Sequence, residues 1–458
     1  MGTQTDHKSH GLPAVPNARG ADAGRDRQGP AHTVRTARLI ASIAGAALLA
    51  LAAGATALLG AALATDRPEV FLASDLTVFC VVYLVGLLLA TRTIAPARRA
   101  RFRINLFGVG VVVVAVAFTA TTLRPMTDPR LAPSAVPGQR FWQLPTGSRI
   151  AYVRMPAVGR ARSTPVIVLH GGPGVPDMAG DANYFGRLAW DGFDVYVYDE
   201  VGSGRSTRLA HVQSYTLERD VSDLEEIRRL IGAEQVALVG HSYGGKLAAA
   251  YAAAHGEHVA RMVLSSPDDP SPTASGVSMV SRLNARDQLG VYALLVTPRP
   301  LLAWALLQVN PAAAHAFASD AELDARQDRV YNRTRPGLHC RDQSSGPELH
   351  GLGFFANQYP QSANRRPNHD FLPELAGSTI PTLILKGRCD YLSWSSAVAY
   401  LQQLPAAQLI YLDEAGHNVY QDEPNQYLST IRAFLLGQTL PDLPYAGAEP
   451  PPDYEGPR

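Results

Sequence analysis

From Leu39 to Ala64 the chain reads LIASIAGAALLALAAGATALLGAALA, an apolar tract without a single charged residue. A helix of about 20 apolar residues crosses the hydrocarbon core of a bilayer, so this tract can span one with some tilt. A second apolar run covers Val70 to Ala90 and a third covers Ile104 to Leu123. Buried helices of water-soluble proteins seldom carry so little charge over such lengths, and three spans are expected. Ala62-Leu63-Ala64 resembles a signal-peptidase site, but the tract exceeds the roughly 7–15 residues of a signal core and two more runs follow it. Asp75 lies close to the start of the second run, which suits an interfacial position better than an ion site.

Orientation follows from the basic residues of the short loops, which stay inside. Arg19, Arg25, Arg27, Arg35 and Arg38 precede the first run; Arg67 alone separates the first from the second; Arg92, Arg98, Arg99, Arg101 and Arg103 separate the second from the third. The N-terminus is therefore expected inside and everything after Leu123 outside. Abundant Ala, Arg, Gly and Pro read as a GC-rich bacterial genome, so the expected setting is the bacterial cytoplasmic membrane, with the lipid bilayer as a partner. Residues 1–34 lack periodicity and read as a disordered cytoplasmic tail. Residues 35–123 form the three-helix region. Residues 124–140, with Pro125, Pro129, Pro133 and Pro137, read as a semi-stiff linker that holds the next domain off the membrane surface.

The net charge of +1 argues against a nucleic-acid partner. Neither C-x-x-C nor H-E-x-x-H occurs, so no metal site is expected, and nothing calls for a cofactor. The three cysteines cannot build a disulfide framework. Cys340 and Cys389, both expected on the oxidising side, either pair or stay free and buried.

From Phe141 onward short apolar runs alternate with helical stretches. The runs are Val166–Leu169, Val195–Tyr198, Val236–Leu238, Met262–Leu264 and Thr382–Leu385; the helices include Leu217–Ile231 and Lys246–His255. This alternation indicates an α/β fold with a parallel sheet covered on both faces, whose chemistry gathers at the carboxyl ends of the strands. Gly240-His241-Ser242-Tyr243-Gly244 is G-x-S-x-G between such a strand and a helix, the context that gives the motif meaning. Small neighbours permit the sharp turn that lifts the Ser242 hydroxyl clear of the sheet. A free hydroxyl is a poor nucleophile, so a base and an orienting carboxylate are required. His417 follows the last strand candidate in QLIYLDEAGH and is the expected base; Asp390 follows the Thr382–Leu385 strand and is the expected acid. Asp413 and Asp422 stand nearer His417 in sequence and read as residues that shape its loop. The oxyanion donors are expected from the amide of Tyr243 and from Gly171 or Gly172, in VIVLHGGPG.

HGGPG at 170–174, YDEVGSGRS at 198–206, GHSYGG at 240–245, GRCD at 387–390 and GH at 416–417 together resemble the α/β-hydrolase fold, and within it the proline iminopeptidase-like serine hydrolases. The resemblance covers about Phe141 to Leu436. It implies a hydrolase core in two parts, 141–266 and 376–438, a helical cap over 267–375 and a Pro-rich C-terminal tail over 439–458. Asp199 would be structural. Trp304, Phe354, Phe355 and Tyr359 would wall the substrate site.

The chain departs from that family where the substrate amine is held. W-x-x-W-E is missing, and FFANQYP (Phe354–Pro360) carries Ala356 where the family has a glutamate. Glu322, Asp324, Asp328, Asp342 and Glu348 are the cap acids that could replace the lost contacts. The expected function is thus a membrane-anchored serine hydrolase, resembling proline iminopeptidase-type aminopeptidases, that acts through an acyl-enzyme on a small-molecule or short-peptide substrate. An esterase or amidase on small acyl substrates is the alternative, and a non-catalytic membrane sensor is the reading from another class.

Overall fold

The computed structural model describes residues 30–127, 133, 135–270, 278–340, 346–362 and 369–458. It opens with three long helices, α1 (Pro30–Ala62), α2 (Pro68–Ala90) and α3 (Pro96–Phe118), the last continuing through a π turn to Leu123. Each begins on a proline, which suits a first helical turn because an N–H there would lack an intrahelical partner anyway. α1 therefore takes in the last residues assigned to the tail, since nothing from Ala31 to Arg38 breaks the helix; the tail up to residue 29 lies outside the described residues. All three are long and apolar enough to cross a membrane. Gly54, Gly86 and Gly110 sit where a Cβ would strike Asp75, Ala46 and Tyr83 on the neighbouring helix, so small residues allow close contact. Asp75 thus faces α1. Leu48, Leu49, Val81, Val112 and Val116 point outward and are exposed, leaving an apolar surface suited to lipid.

The rest of the chain is built on an eight-stranded sheet in the order β1-β2-β4-β3-β5-β6-β7-β8. Its strands are β1 (Arg140–Gln143), β2 (Arg149–Met155), β3 (Val166–Leu169), β4 (Val195–Tyr198), β5 (Val236–His241), β6 (Val259–Ser265), β7 (Thr382–Cys389) and β8 (Ala407–Gly416). From β4 to β8 the sheet is parallel, and β1 and β2 join antiparallel at one edge. The unbroken apolar runs have a simple cause. In β3, Val166 and Val168 enter one core layer while Ile167 and Leu169 enter the other. α5 (Leu217–Ile231), α6 (Tyr243–His255) and α13 (Trp394–Gln403) pack with Ile167 and Leu169, and α4 (Met178–Phe185), α14 (Val419–Asp422) and α15 (Pro424–Leu435) pack with Val166 and Val168.

Between β6 and β7 the chain leaves the sheet for α7 (Ala285–Leu295), α8 (Pro298–Val309), α9 (Pro311–Phe317), α10 (Asp320–Thr334), α11 (Phe354–Gln358) and α12 (Leu372–Leu375). This helical insert does not stand away from the N-terminal helices, which corrects the expectation of a linker that holds the domain at a distance. Asn310 Nδ2 donates to the carbonyl of Ala62 at 2.8 Å, and Arg299 Nη1 donates to Thr122 at 3.1 Å and Leu123 at 3.2 Å. Carbonyls at a helix end have no intrahelical donor, so these side chains supply what the helices lack. Glu322 pairs with Arg299 and accepts from the Met126 amide at 2.9 Å, drawing in the start of the linker. Linker residues 128–132 and 134 lie outside the described residues.

The C-terminal segment is not a free tail either. It straps across α13 and the end of β7: Trp394 Nε1 donates to Ala448 at 2.8 Å, Trp394 N to Pro457 at 2.8 Å, and Tyr454 Oη to Leu392 at 2.9 Å. Its tyrosines bury their rings edge-on against Trp394, which offsets the poor packing of a proline-rich chain.

Candidate active site

The elbow is formed by β5 running into α6. Ser242 takes φ 55° and ψ −118°, a left-handed backbone that a serine adopts only where the surroundings hold it. A Cβ on Gly240 would run into the Gly244 carbonyl, and one on Gly244 into the Leu169 carbonyl, so both flanking glycines are required by space. The end of β6 and the loop after it fix the strained residue: Ser242 N donates to the Ser265 carbonyl at 2.9 Å, and Asp268 N donates to the Ser242 carbonyl at 3.0 Å. The fold therefore holds the Ser242 side chain where the sheet ends, and Tyr243 opens the helix behind it.

His417 lies just past β8 and Asp390 just past β7, adjacent strands of the sheet. His417 Nδ1 donates to Asp390 Oδ1 at 2.7 Å, which leaves Nε2 toward the cavity that Ser242 also lines. Both residues are buried. Asp422 holds the histidine's loop, as its position in sequence suggests: its carboxylate accepts from Gly416 N at 2.6 Å and pairs with His339 Nδ1 at 2.6 Å.

Sequence reasoning missed Lys386. It interrupts the apolar run of β7 four residues before the acid, is fully buried, and donates to Asp390 Oδ2 at 2.7 Å and to the Leu392 carbonyl at 3.1 Å. Burial alone would raise the Asp390 carboxyl, but the Lys386 ammonium and His417 hold it below the usual carboxylate range. Asp390 thus stays ionised and spends one oxygen on each neighbour. The available signal was a lysine inside an otherwise apolar strand, which needs a buried partner.

Gly171 comes so close to the elbow that a Cβ on it would lie 3.1 Å from the Ser242 Cβ. The Gly171–Gly172 loop therefore borders the position where an oxyanion would form, with the Tyr243 amide across from it at the start of α6. The Tyr243 hydroxyl is taken up elsewhere, donating to Asp220 Oδ2 at 2.7 Å. Burial brings His170 down to about 4 and His241 down to about 3, so both rings are neutral at neutral pH.

Ser242 and His417 line a cavity of about 720 Å³ roofed by the helical insert. Trp304 and Phe354 line it; Phe355 and Tyr359 do not, and pack instead, almost fully buried, into the core under the insert. They belong to the inward face of a short amphipathic turn, a position that residue type alone does not separate from a ligand wall. Three of the cap acids are occupied elsewhere. Asp324 pairs with Arg208 at 2.8 Å, Asp328 accepts from the Gly351 and Leu352 amides, Glu322 holds Arg299, and Glu348 is exposed; Asp342 lies outside the described residues. Ala356 packs where Gly174, Gly202 and Gly353 converge. Among the described residues, the carboxylates that line the cavity are Asp177 and Asp181, from the core. Asp177 caps α4 through Gly180 N at 3.0 Å, and Asp181 accepts from Tyr420 Oη at 3.0 Å.

Cys340 and Cys389 are joined, with an S–S distance of 2.10 Å, so the bridge ties the insert to the residue next to Asp390.

Residues 164–424 match the family described as alpha/beta hydrolase fold. The chain is an α/β-hydrolase. Among curated proteins this hydrolase is similar to the proline iminopeptidase of Heyndrickxia coagulans, 27% identical over 296 residues that cover 63% of this chain and 96% of that protein. It is 25% identical to the proline iminopeptidase of Saccharolobus solfataricus over 277 residues, covering 59% of this chain and 84% of that one. Among solved structures, an esterase from Exiguobacterium antarcticum is 21% identical with a TM-score of 0.47, covering 65% of this chain and 98% of that one. The three N-terminal helices lie outside the family match. The family match covers β3 to β8 of the sheet and the elbow between β5 and α6, so the protein is a hydrolase of this fold.

Proposed function

We propose that this α/β-hydrolase is anchored in the cytoplasmic membrane by α1, α2 and α3 and works on its outer side through an acyl-enzyme on Ser242. The observation that carries the reading is the strained Ser242 at the head of α6, sharing one cavity with a His417 already bonded to an ionised Asp390. Ser242 Oγ attacks the acyl carbon as His417 takes its proton; the leaving group departs with that proton; water, activated by the same histidine, then releases the acid. The amides near Gly171 and at Tyr243 meet the charge that develops on the carbonyl oxygen.

Esters fit the cavity better than amides with a free N-terminal amine. Burial, and then the neighbouring Asp177, push the Asp181 carboxyl up, which makes it a poorer partner for an ammonium group. An unpaired ammonium taken out of water costs several kcal/mol. We expect p-nitrophenyl acyl esters to show a higher kcat/KM than prolyl or alanyl p-nitroanilides on purified, detergent-solubilised protein. The aminopeptidase reading has one observation in its favour, that Asp177 and Asp181 do line the cavity. Prolyl-anilide turnover above ester turnover, lost in Asp181→Asn, would establish that reading instead.

An exterior domain agrees with the Cys340–Cys389 bridge, since disulfides persist in oxidising compartments. In protein taken from membranes without reductant, neither thiol of this pair should react with an alkylating reagent. Both thiols alkylated would put the domain on the reducing side.

A further inference from the structure

The two helices that roof the cavity carry an apolar surface that none of the described residues covers. α7 and α8 meet at a bend of 72°. Around that bend Leu289, Tyr292, Leu295, Val296, Leu301 and Trp304 are exposed, from 43% for Leu295 to 71% for Leu289. A continuous apolar patch that includes a tryptophan and a tyrosine is costly in water and suits the boundary between headgroups and acyl chains.

The patch sits at a defined height. The other face of α8, Ala303, Leu306 and Leu307, is buried in one cluster with Leu58, Ala62 and Phe71 of α1 and α2. Arg299 and Asn310, at the two ends of α8, bond the last carbonyls of α3's π turn and of α1. α8 therefore lies across the ends of the membrane helices, and its exposed face is level with the bilayer surface that those ends define.

The patch is also the mouth of the active site. Leu295, Leu301 and Trp304 both line the cavity and reach the exterior, as do the polar Ser278 and Gln361. The floor of the same cavity holds Ser242 and His417.

From this continuity we infer that the enzyme draws its substrate from the lipid phase, and that the substrate is a membrane-borne acyl ester whose hydrocarbon chain passes between Leu295, Leu301 and Trp304. The inference rests on the serine-hydrolase reading. In the reaction Ser242 Oγ bonds to the acyl carbon, the ester C–O bond breaks, and the alcohol leaves with the proton that His417 took from Ser242. Water then cleaves the acyl-serine bond, releasing a fatty acid and restoring the hydroxyl. The bend that lays α7 and α8 on the bilayer lets a long chain move from lipid to the cavity without crossing water, which avoids exposing its CH₂ groups.

The test uses the full chain in phosphatidylcholine–phosphatidylglycerol nanodiscs, with two substrates: a long-chain fluorogenic acyl ester partitioned into the bilayer and p-nitrophenyl butyrate in solution. Leu289 and Val296 belong to the patch but do not line the cavity. The double variant Leu289→Glu/Val296→Glu should lose about tenfold or more in turnover of the bilayer ester and keep butyrate turnover within about twofold. Equal rates for variant and wild type on the bilayer ester would overturn the route through the patch, and a parallel fall on both substrates would show that these residues serve the fold instead. A wild-type enzyme that cleaves butyrate but not the bilayer ester would overturn the substrate class alone. Failure to cleave either ester, together with no fluorophosphonate labelling, would instead remove the underlying serine-hydrolase reading.

Discussion

Ser242→Ala is expected to lose about 10⁴- to 10⁶-fold in turnover of any accepted ester, with its melting temperature close to that of the wild type. The substitution removes one oxygen and leaves the rest of the elbow in place. Alanine also has a Cβ, so the strain of the left-handed backbone at this position is common to both proteins. The residual rate reports what the cavity and the loop amides contribute by binding alone. Steady-state kinetics on an acyl ester, run beside thermal unfolding, separates the loss of the nucleophile from any loss of fold. Retained turnover in the variant would move the nucleophile to another residue.

Asp390→Asn is expected to damage both chemistry and stability. In the wild type one carboxylate oxygen orients His417 at 2.7 Å and the other neutralises Lys386 at 2.7 Å, with both partners buried. An asparagine can neither stabilise the imidazolium nor balance the ammonium. Turnover should fall about 10⁴-fold, the usual consequence of losing the acid's charge and tautomer control. Leaving Lys386 buried without a counter-charge should also cost about 3–5 kcal/mol. Adding Lys386→Met to Asp390→Asn should recover much of the lost melting temperature and none of the activity. Recovery of activity, or no drop in stability for Asp390→Asn alone, would contradict the shared-carboxylate arrangement. The sign of the pH effect follows from the same geometry. Asp390 is held below the usual carboxylate range in the fold, so its contribution to stability is present above the ordinary carboxylate pKa and is lost as pH falls through the lower folded value. Asp390→Asn should lack that acid-side loss.

The elbow at Ser242 and the pairing of His417 with Asp390 were legible in the sequence because they obey local rules. A strand that is buried on both faces must be apolar throughout, as β3 and β5 are, and a nucleophile elbow must have glycines that can approach other backbone. β1 and β2 escaped notice since they lie at the antiparallel edge, where exposed Arg140 and Arg149 break the apolar pattern. Lys386 was hidden for a different reason: its meaning depends on Asp390, which reaches it only once β7 and its loop are folded. The docking of α8 on the membrane helices depends on Arg299 and Asn310 meeting carbonyls more than a hundred residues away in sequence, and no local pattern encodes such a contact. The same applies to Phe355 and Tyr359. Aromatic character marked them as wall candidates, but only the packing of α11 against the core decides that Phe354 faces the cavity and they do not.

Covalent labelling tests Ser242 as the nucleophile of a working acyl-transfer site most directly. Full-length protein in its membrane, treated with a fluorophosphonate probe and digested, should carry the adduct mass on the peptide that contains Ser242. Ser242→Ala should carry none. No adduct on that peptide in the wild type, or an adduct of equal yield in Ser242→Ala, would contradict the account.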